Sequence, residues 1–455
     1  MVTSFFWKKF LVRTGIIGWL PSVKKLLGGG EQYLHYLSDR TLAIPVDELI
    51  DPAWFPDVQA PDSINLALGA PRCELPLGAL RGVNDRRALS AWGQLDLREE
   101  IAGRHLAENG ASYNPADEVL ITHGASGAFA TVVDTFLNPG DKVVLFDPTS
   151  PIFALGAKHR RARIRWVETW LEDGKTRFDI EAFINVMRGA RLLILADPGN
   201  PTGGLLAPED LEQIAFWANK HDVLIYVDES FGRFRYTTER VHLASLPHAR
   251  NRLLIAGSVS KTYGLTSARV GWLLGCKHLL RPCAITASMA APSVSPLCQQ
   301  IALTALRTGE ETAAALREEF AGRRRYLLEA LQGMRLLTRS VRTTLTEGTP
   351  HAPREDLQPA GGYFFWVPVK HLGLNGREFS RQLLVAKRVL VNPGEPFGPS
   401  GVDHVRISFA TEEGRLREGV QRLAEFMEET LSVKSATPLP FSGTRPELEK
   451  THQTP

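Results

Sequence analysis

Leu192-Leu193-Ile194-Leu195-Ala196-Asp197-Pro198-Gly199-Asn200-Pro201-Thr202-Gly203-Gly204 opens as an unbroken apolar run and closes as a polar, glycine-rich turn. Five apolar residues without polar alternation suit a strand buried on both faces of a parallel sheet. The pattern recurs along the chain. Val143-Val144-Leu145-Phe146 stops at Asp147-Pro148, residues 223–227 stop at Asp228-Glu229, and residues 253–256 stop at Gly257-Ser258. The stretches between, such as 208–220, are long enough for crossover helices. This alternation predicts an α/β large domain with a mostly parallel, doubly wound sheet. Ligands of such sheets bind beyond the carboxyl ends of the strands. Here those ends carry Asp147, Asn200, Asp228, Ser258 and Lys261.

Outward from this region the texture changes twice. Residues 311–334 read as a helix, with Glu319 and Arg323 in i,i+4 relation, and 363–369 and 404–409 are strand-like. Together they predict a smaller α+β domain. The expected division is 1–60 as an N-terminal arm and part of the small domain, 61–310 as the large domain, and 311–431 as the small one. Residues 432–455, rich in Pro, Ser, Thr and charge, are expected to be a disordered tail. The first thirty residues carry Lys8, Lys9, Arg13, Lys24 and Lys25 among Phe5, Phe6, Trp7, Phe10 and Trp19, with no acid before Glu31. An arm packing on this or a second subunit is expected, and a membrane-surface role for 1–25 is the alternative. Arg13 interrupts the apolar region and no small-x-small site follows, which disfavours a secretory signal.

Composition narrows the function class. The 455 residues are 44% hydrophobic and 23% charged, as in an ordinary soluble enzyme. Basic residues number 53 against 50 acidic ones, so no global field draws in nucleic acid. Four cysteines without a CxxC pair point to a reducing, cytoplasmic setting. Neither a metal-ligand spacing nor an uncharged apolar run near membrane-spanning length occurs.

Two segments carry chemistry. The strand-like residues 119–122 run into Gly124-Ala125-Ser126-Gly127-Ala128, after which Phe129, Val132, Val133, Phe136 and Leu137 mark one face of a helix. A small-residue turn opening a helix offers backbone N–H groups and the positive dipole end to a phosphate. A tight turn that binds nothing is the alternative. In Ser258-Val259-Ser260-Lys261-Thr262-Tyr263-Gly264, a lysine follows an apolar strand among small residues. Desolvation there favours the free amine, which condenses with an aldehyde. Ser258 and Arg269 suit a dianionic phosphate. A solvated strand-end lysine is the plainer reading.

The combination decides between them. The Asn200-Pro201-Thr202-Gly203 turn, the strand ending at Asp228, the Ser258-x-Ser260-Lys261 segment and Arg406-Ile407-Ser408-Phe409-Ala410 stand in one order. In that order the chain resembles the fold-type-I pyridoxal-phosphate enzymes, specifically the class I/II aminotransferases, from about residue 64 to 424. The resemblance implies that Lys261 holds pyridoxal 5'-phosphate as a Schiff base and moves the substrate proton. It implies Asp228 at the pyridine nitrogen and Asn200 at the ring hydroxyl. Ala125, Ser126, Ser258 and Arg269 would form the phosphate cup. Arg406, helped by the Gly69 backbone, would clamp the substrate carboxylate. Phe231 stands where many members place a tyrosine. The implied activity is transfer of an amino group between an L-amino acid and a 2-oxo acid, in a homodimer.

Taken singly, Asn200 also suits a plain turn, Asp228 a helix N-cap and Arg406 a structural ion pair. Three positions depart from the family pattern. Ser150 replaces the stacking aromatic, with Phe153 as a nearby substitute; Ala88 replaces a tyrosine donated across the dimer; Phe231 lacks a hydroxyl. These keep two alternatives open: a decarboxylase, lyase or cyclase using the same cofactor, and a non-catalytic regulatory protein of the same fold.

Overall fold

A computed structural model of the chain describes residues 62–67, 90–237, 241–337 and 358–436. The strands are β1 (Ile64–Asn65), β2 (Val119–Thr122), β3 (Lys142–Asp147), β4 (Arg163–Glu172), β5 (Lys175–Phe178), β6 (Leu192–Ala196), β7 (Leu205–Leu206), β8 (Leu224–Asp228), β9 (Leu253–Ser258), β10 (Gly271–Gly275), β11 (Phe364–Pro368), β12 (Val389–Leu390), β13 (Asn392–Pro393) and β14 (His404–Ser408). Nine of them form one sheet in the order β2-β10-β9-β8-β6-β3-β4-β5-β7. The central pairs β3/β4, β3/β6, β6/β8 and β8/β9 are parallel, while β10 runs antiparallel to both neighbours. This is the mostly parallel α/β sheet expected.

Strand periodicity sorts side chains to the two faces. Val144 and Phe146 of β3 join a layer with helices Leu95–Asn109, Pro208–Lys220 and Pro296–Thr308, through Leu97, Ile101, Leu211, Ile214, Ala302 and Leu303. Val143 and Leu145 face the opposite layer, with Ala128, Phe129 and Val132 of helix Gly124–Phe136 and Leu280 and Cys283 of helix Lys277–Ala290. Each fully buried Val, Leu or Phe is worth about 1.5–3 kcal/mol of apolar burial, so both faces anchor every central strand. Their carboxyl ends consequently form a fixed rim.

The small domain has a three-stranded antiparallel sheet, β11-β14-β13. It packs with helices Glu310–Gly333, Gly376–Lys387 and Glu413–Ala436. Asn375 and Glu378 close a reciprocal capping box at the start of the second of these. Two expected boundaries shift. Residues 62–67 belong with the small domain, because β1 pairs with β12 and Ile64 and Leu66 enter that core. The last helix continues through 432–436, so the tail expected from 432 begins inside a helix. The expectations for residues 1–60 and for 437–455 fall outside the described residues. Phe231 and Phe234, just after β8, also join the small-domain core, so the segment following Asp228 ties the two units together.

Candidate active site

Parallel pairing of β8 with β9 sets Asp228 opposite Ala256. β9 ends at Ser258, and the single-turn helix Val259–Thr262 lifts Lys261 above the rim. Burial pushes the Lys261 amine down to about 8; the charges of Arg406 and Arg269 add to this and Asp228 opposes it. Burial likewise raises the Asp228 carboxyl above the usual range, against hydrogen bonds from Ser230 and the charge of Lys261. The Ser230 N–H donates to Asp228 Oδ1 at 2.8 Å. Each group is therefore displaced toward its neutral form by low dielectric and only partly restored by the other.

The β6 turn brings Asn200 to the same place. Its Oδ1 accepts from Arg406 Nη1 at 2.8 Å, which leaves its NH2 as the group to offer a further acceptor. Arg406 Nη2 donates to the Ala67 carbonyl at 2.9 Å. Arg406 is buried, its pKa is lowered to about 10 by desolvation, and its Nε–H has no hydrogen-bond partner. Its guanidinium lies 4.3 Å from the Phe364 ring centroid and 4.9 Å from that of Phe397. Phe364 in turn packs on Phe231 at 5.2 Å, and Lys261 Nζ sits 6.0 Å from the Phe231 ring. An aromatic floor thus runs from the amine to the guanidinium.

The expected phosphate cradle lies where three strand ends meet. Gly271 of β10 faces Thr122 of β2 on one side and Ser258 of β9 on the other. A Cβ on Gly271 would lie 2.5 Å from the Gly124 carbonyl carbon and 2.8 Å from the Ala125 nitrogen. Only glycine lets the strand pass under the first turn of helix Gly124–Phe136, where Ala125 is half-buried and Ser126 exposed. Arg269 has φ +53° and directs its guanidinium back to that turn, donating to Thr266 O at 3.1 Å and His123 O at 3.4 Å. A Cβ on Gly124 would come within 2.8 Å of Arg269 Nη2.

The family described as aminotransferase class I and II matches residues 64–423. The chain belongs to that family. It is 30% identical to an arginine–pyruvate transaminase of Pseudomonas aeruginosa over 73% of this chain and 80% of that one. It is 28% identical to an aspartate aminotransferase of Pyrococcus abyssi, over 74% and 83% of the two chains. A solved aromatic aminotransferase from Pyrococcus horikoshii superposes with a TM-score of 0.71 at 27% identity, covering 81% of this chain and 96% of that one.

Aminotransferases of this family work with pyridoxal 5'-phosphate, amino acids and 2-oxo acids. The residues here fit such a cofactor. The cradle has no room for a Cβ at Gly271 and offers a helix start and an arginine. Lys261 gives up its proton more readily than an ordinary lysine, and Asp228 is a buried carboxyl that a cationic ring nitrogen would return to its charged form. Among the described residues no cluster of His, Cys, Asp or Glu is placed to hold a metal, and no helix is long and apolar enough to cross a membrane.

Of the ten expected site residues, the structure gathers Lys261, Asp228, Asn200, Phe231 and Arg406 around one floor, and Ala125, Ser126, Ser258 and Arg269 around one cradle. Gly69, like Ala88, lies outside the described residues, although Ala67 reaches Arg406. Ser150 is half-buried at the head of helix Pro151–His159. Phe153 does not take its place: it is fully buried in the core against Phe129 at 5.1 Å and Tyr226 at 6.0 Å.

Sequence reasoning missed three supporting groups. Tyr226, two residues before Asp228 on the same strand face, is fully buried and its hydroxyl has no partner; period-two spacing from Asp228 was the available signal. Asp197 pairs with Arg235 at 2.7 Å and accepts from the Leu206 N–H, pinning both limbs of the turn that carries Asn200. Phe397, from the small domain, packs its ring on the Arg406 guanidinium, a long-range contact with no local signal.

Proposed function

We propose that this aminotransferase moves an amino group between an L-amino acid and a 2-oxo acid on pyridoxal 5'-phosphate held through Lys261. The observation that carries the reading is the shared floor. An amine lowered to about 8 and a buried guanidinium with an unpartnered N–H stand over one run of aromatic rings. When bound, the cofactor supplies a carbonyl that condenses with amines and a cationic ring that withdraws electrons from the substrate Cα. Asp228 holds the ring nitrogen protonated, and the Asn200 NH2 donates to the ring oxygen. The N–H groups of Ala125 and Ser126, the Ser258 hydroxyl and Arg269 take the phosphate. Phe231, beside Lys261, would line the cofactor site without donating a hydrogen bond. Arg406, with the Gly69 backbone, receives the amino acid carboxylate. Lys261, as a free amine, would be the group that takes the proton from the substrate Cα and later gives one up.

Two further parts of the reading rest on other features. The family resemblance and the exposed Ile285 and Met289 of helix Lys277–Ala290 support a homodimer. Unpaired Cys276, Cys283 and Cys298 support a reducing, cytoplasmic setting.

The test is spectroscopic. Purified protein mixed with pyridoxal 5'-phosphate is expected to develop the visible band of a lysine-linked cofactor, which Lys261→Ala removes. Amino acids added singly are then expected to bleach the band as the amine is retained on the cofactor, and a 2-oxo acid to restore it. A band indifferent to Lys261, or carbon dioxide or ammonia release in place of amine transfer, overturns the proposal.

A further inference from the structure

The segment Gly394-Glu395-Pro396-Phe397-Gly398-Pro399-Ser400 carries the floor under Arg406 but belongs to the small domain. Two contacts tie it to the end of β3 in the large one. Asp147, 5% exposed, accepts from the Ser400 hydroxyl at 2.8 Å (Oδ1) and from the Ser400 N–H at 3.0 Å (Oδ2). The Thr149 N–H donates to the Phe397 carbonyl at 2.8 Å. Gly398, at φ +142°, lies so close that a Cβ would stand 2.2 Å from Asp147 Oδ1. The Asp147 backbone is held in turn: Thr169 Oγ1 donates to its carbonyl at 3.0 Å.

From Ser400 the contact continues toward the substrate site. The Ser400 carbonyl lies 3.1 Å from His404 Nδ1, which must donate there. Burial lowers the pKa of His404 to about 4, so the ring is neutral at physiological pH and carries its proton on Nδ1. Its ring stacks on Trp366 at 5.0 Å, and Trp366 faces Arg406 across β11 and β14. Arg406 lies two residues beyond His404, and Phe397 packs against both Trp366 and the guanidinium. The Arg406–Asn200 bond also crosses between domains, but that bond is part of the clamp itself. Asp147 and Ser400 lie outside it.

We infer that Asp147 is a positioning residue: by receiving Ser400 it holds the 394–403 segment against the large domain and so places Arg406 for the substrate carboxylate. The inference rests on the amino acid reading of the site above. It adds an inter-domain latch on a strand-end carboxylate outside the residues assigned above to cofactor and substrate.

The experiment uses the full chain loaded with pyridoxal 5'-phosphate and compares Asp147→Asn, Ser400→Ala, the double variant and Ser400→Thr. Each single loss is expected to raise the apparent dissociation constant for the amino acid about tenfold in single-turnover runs. The limiting rate is expected to change by less than about threefold, and cofactor affinity by less than about twofold. The double variant is expected to be no worse than the worse single, because both remove one contact. Ser400→Thr, which keeps the hydroxyl, is expected to recover most of the loss. Independently of activity, backbone amides of 397–401 are expected to exchange with deuterium about tenfold faster or more in the variants. Unchanged exchange with unchanged affinity, additive losses, or an equal fall in cofactor affinity overturns the inference. If Asp147→Asn does not fold, Ser400→Ala, which deletes one hydroxyl, reads the same contact. If the unsubstituted protein takes up no cofactor, the functional reading fails, and the exchange comparison still decides whether Asp147 holds the segment.

Discussion

Lys261 stores a measurable cost in its setting. Its pKa falls from 10.5 to about 8, chiefly through desolvation, a difference of about 3 kcal/mol between folded and unfolded chain. The sign follows from proton counts. Between pH 8 and 10.5 the unfolded lysine holds a proton that the folded one has released, so stability rises with pH in that window. Below pH 8 both forms are charged and the full penalty applies. Lys261→Met is therefore expected to stabilise the cofactor-free protein at pH 7 by up to about 3 kcal/mol, with the gain vanishing as pH approaches 10.5. Urea unfolding at several pH values checks it; a gain that grows from pH 8 upward contradicts the desolvation account. Arg406 carries a different expectation. Arg406→Ala should raise KM for the amino acid more than tenfold while cofactor affinity changes little, since its partners are Asn200 and the Ala67 carbonyl rather than the phosphate cradle. Titration of both ligands separates these outcomes. Lys261 was legible in the sequence because it follows a recognisable apolar strand, whereas Arg406, in the middle of β14, was placed by the resemblance to the family. Asp147 was visible on the same rim, but its partner is 253 positions away. No local pattern encodes that pairing.

At the scale of elements, the crossing of β10 beneath helix Gly124–Phe136 is the tightest constraint on the cradle. Gly271→Ala is expected to destabilise the fold by about 1–3 kcal/mol, because its Cβ meets backbone atoms that cannot retreat. It should also weaken cofactor binding at least about tenfold by displacing Ala125. Gly103 provides the contrast. It lies in helix Leu95–Asn109 with nothing within 4 Å of an added Cβ, and Gly103→Ala should stabilise by about 0.5–1 kcal/mol. Thermal denaturation of the two variants with and without cofactor tests both; equal effects would mean that helix propensity, not close approach, governs the cradle. The strands and the helix over 208–220 were readable because continuous apolar runs and period-3.6 faces are local signals. The pairing of Ile64–Asn65 with Val389–Leu390 was not. Two residues are too few for a periodic signal, and their partner strand is more than three hundred residues away. Phe153 misled for a related reason: proximity in sequence to Ser150 said nothing about which sheet face its helix would bury.

The whole molecule raises the question of what covers helix Lys277–Ala290. Its inner side packs on helix Gly124–Phe136, whose first turn is the proposed phosphate cradle. Its outer side shows Ile285 at 59% exposure and Met289 at 85%, one helical turn apart. A second copy of the chain is the occupant the family resemblance points to, and a two-fold axis would bury both pairs at once. At about 1.5–3 kcal/mol for each large apolar side chain removed from water, four such residues contribute enough that one charge in each copy should matter. Met289→Glu combined with Ile285→Glu is expected to shift the protein from dimer to monomer in sedimentation velocity at micromolar concentration. Amine transfer should fall more than tenfold if the partner helps close the site, since neither substitution touches Lys261, Asp228 or Arg406. Preservation of secondary structure by circular dichroism distinguishes dissociation from unfolding. A wild-type chain that sediments as a monomer at full activity, or a double variant that remains dimeric, removes this face from the interface.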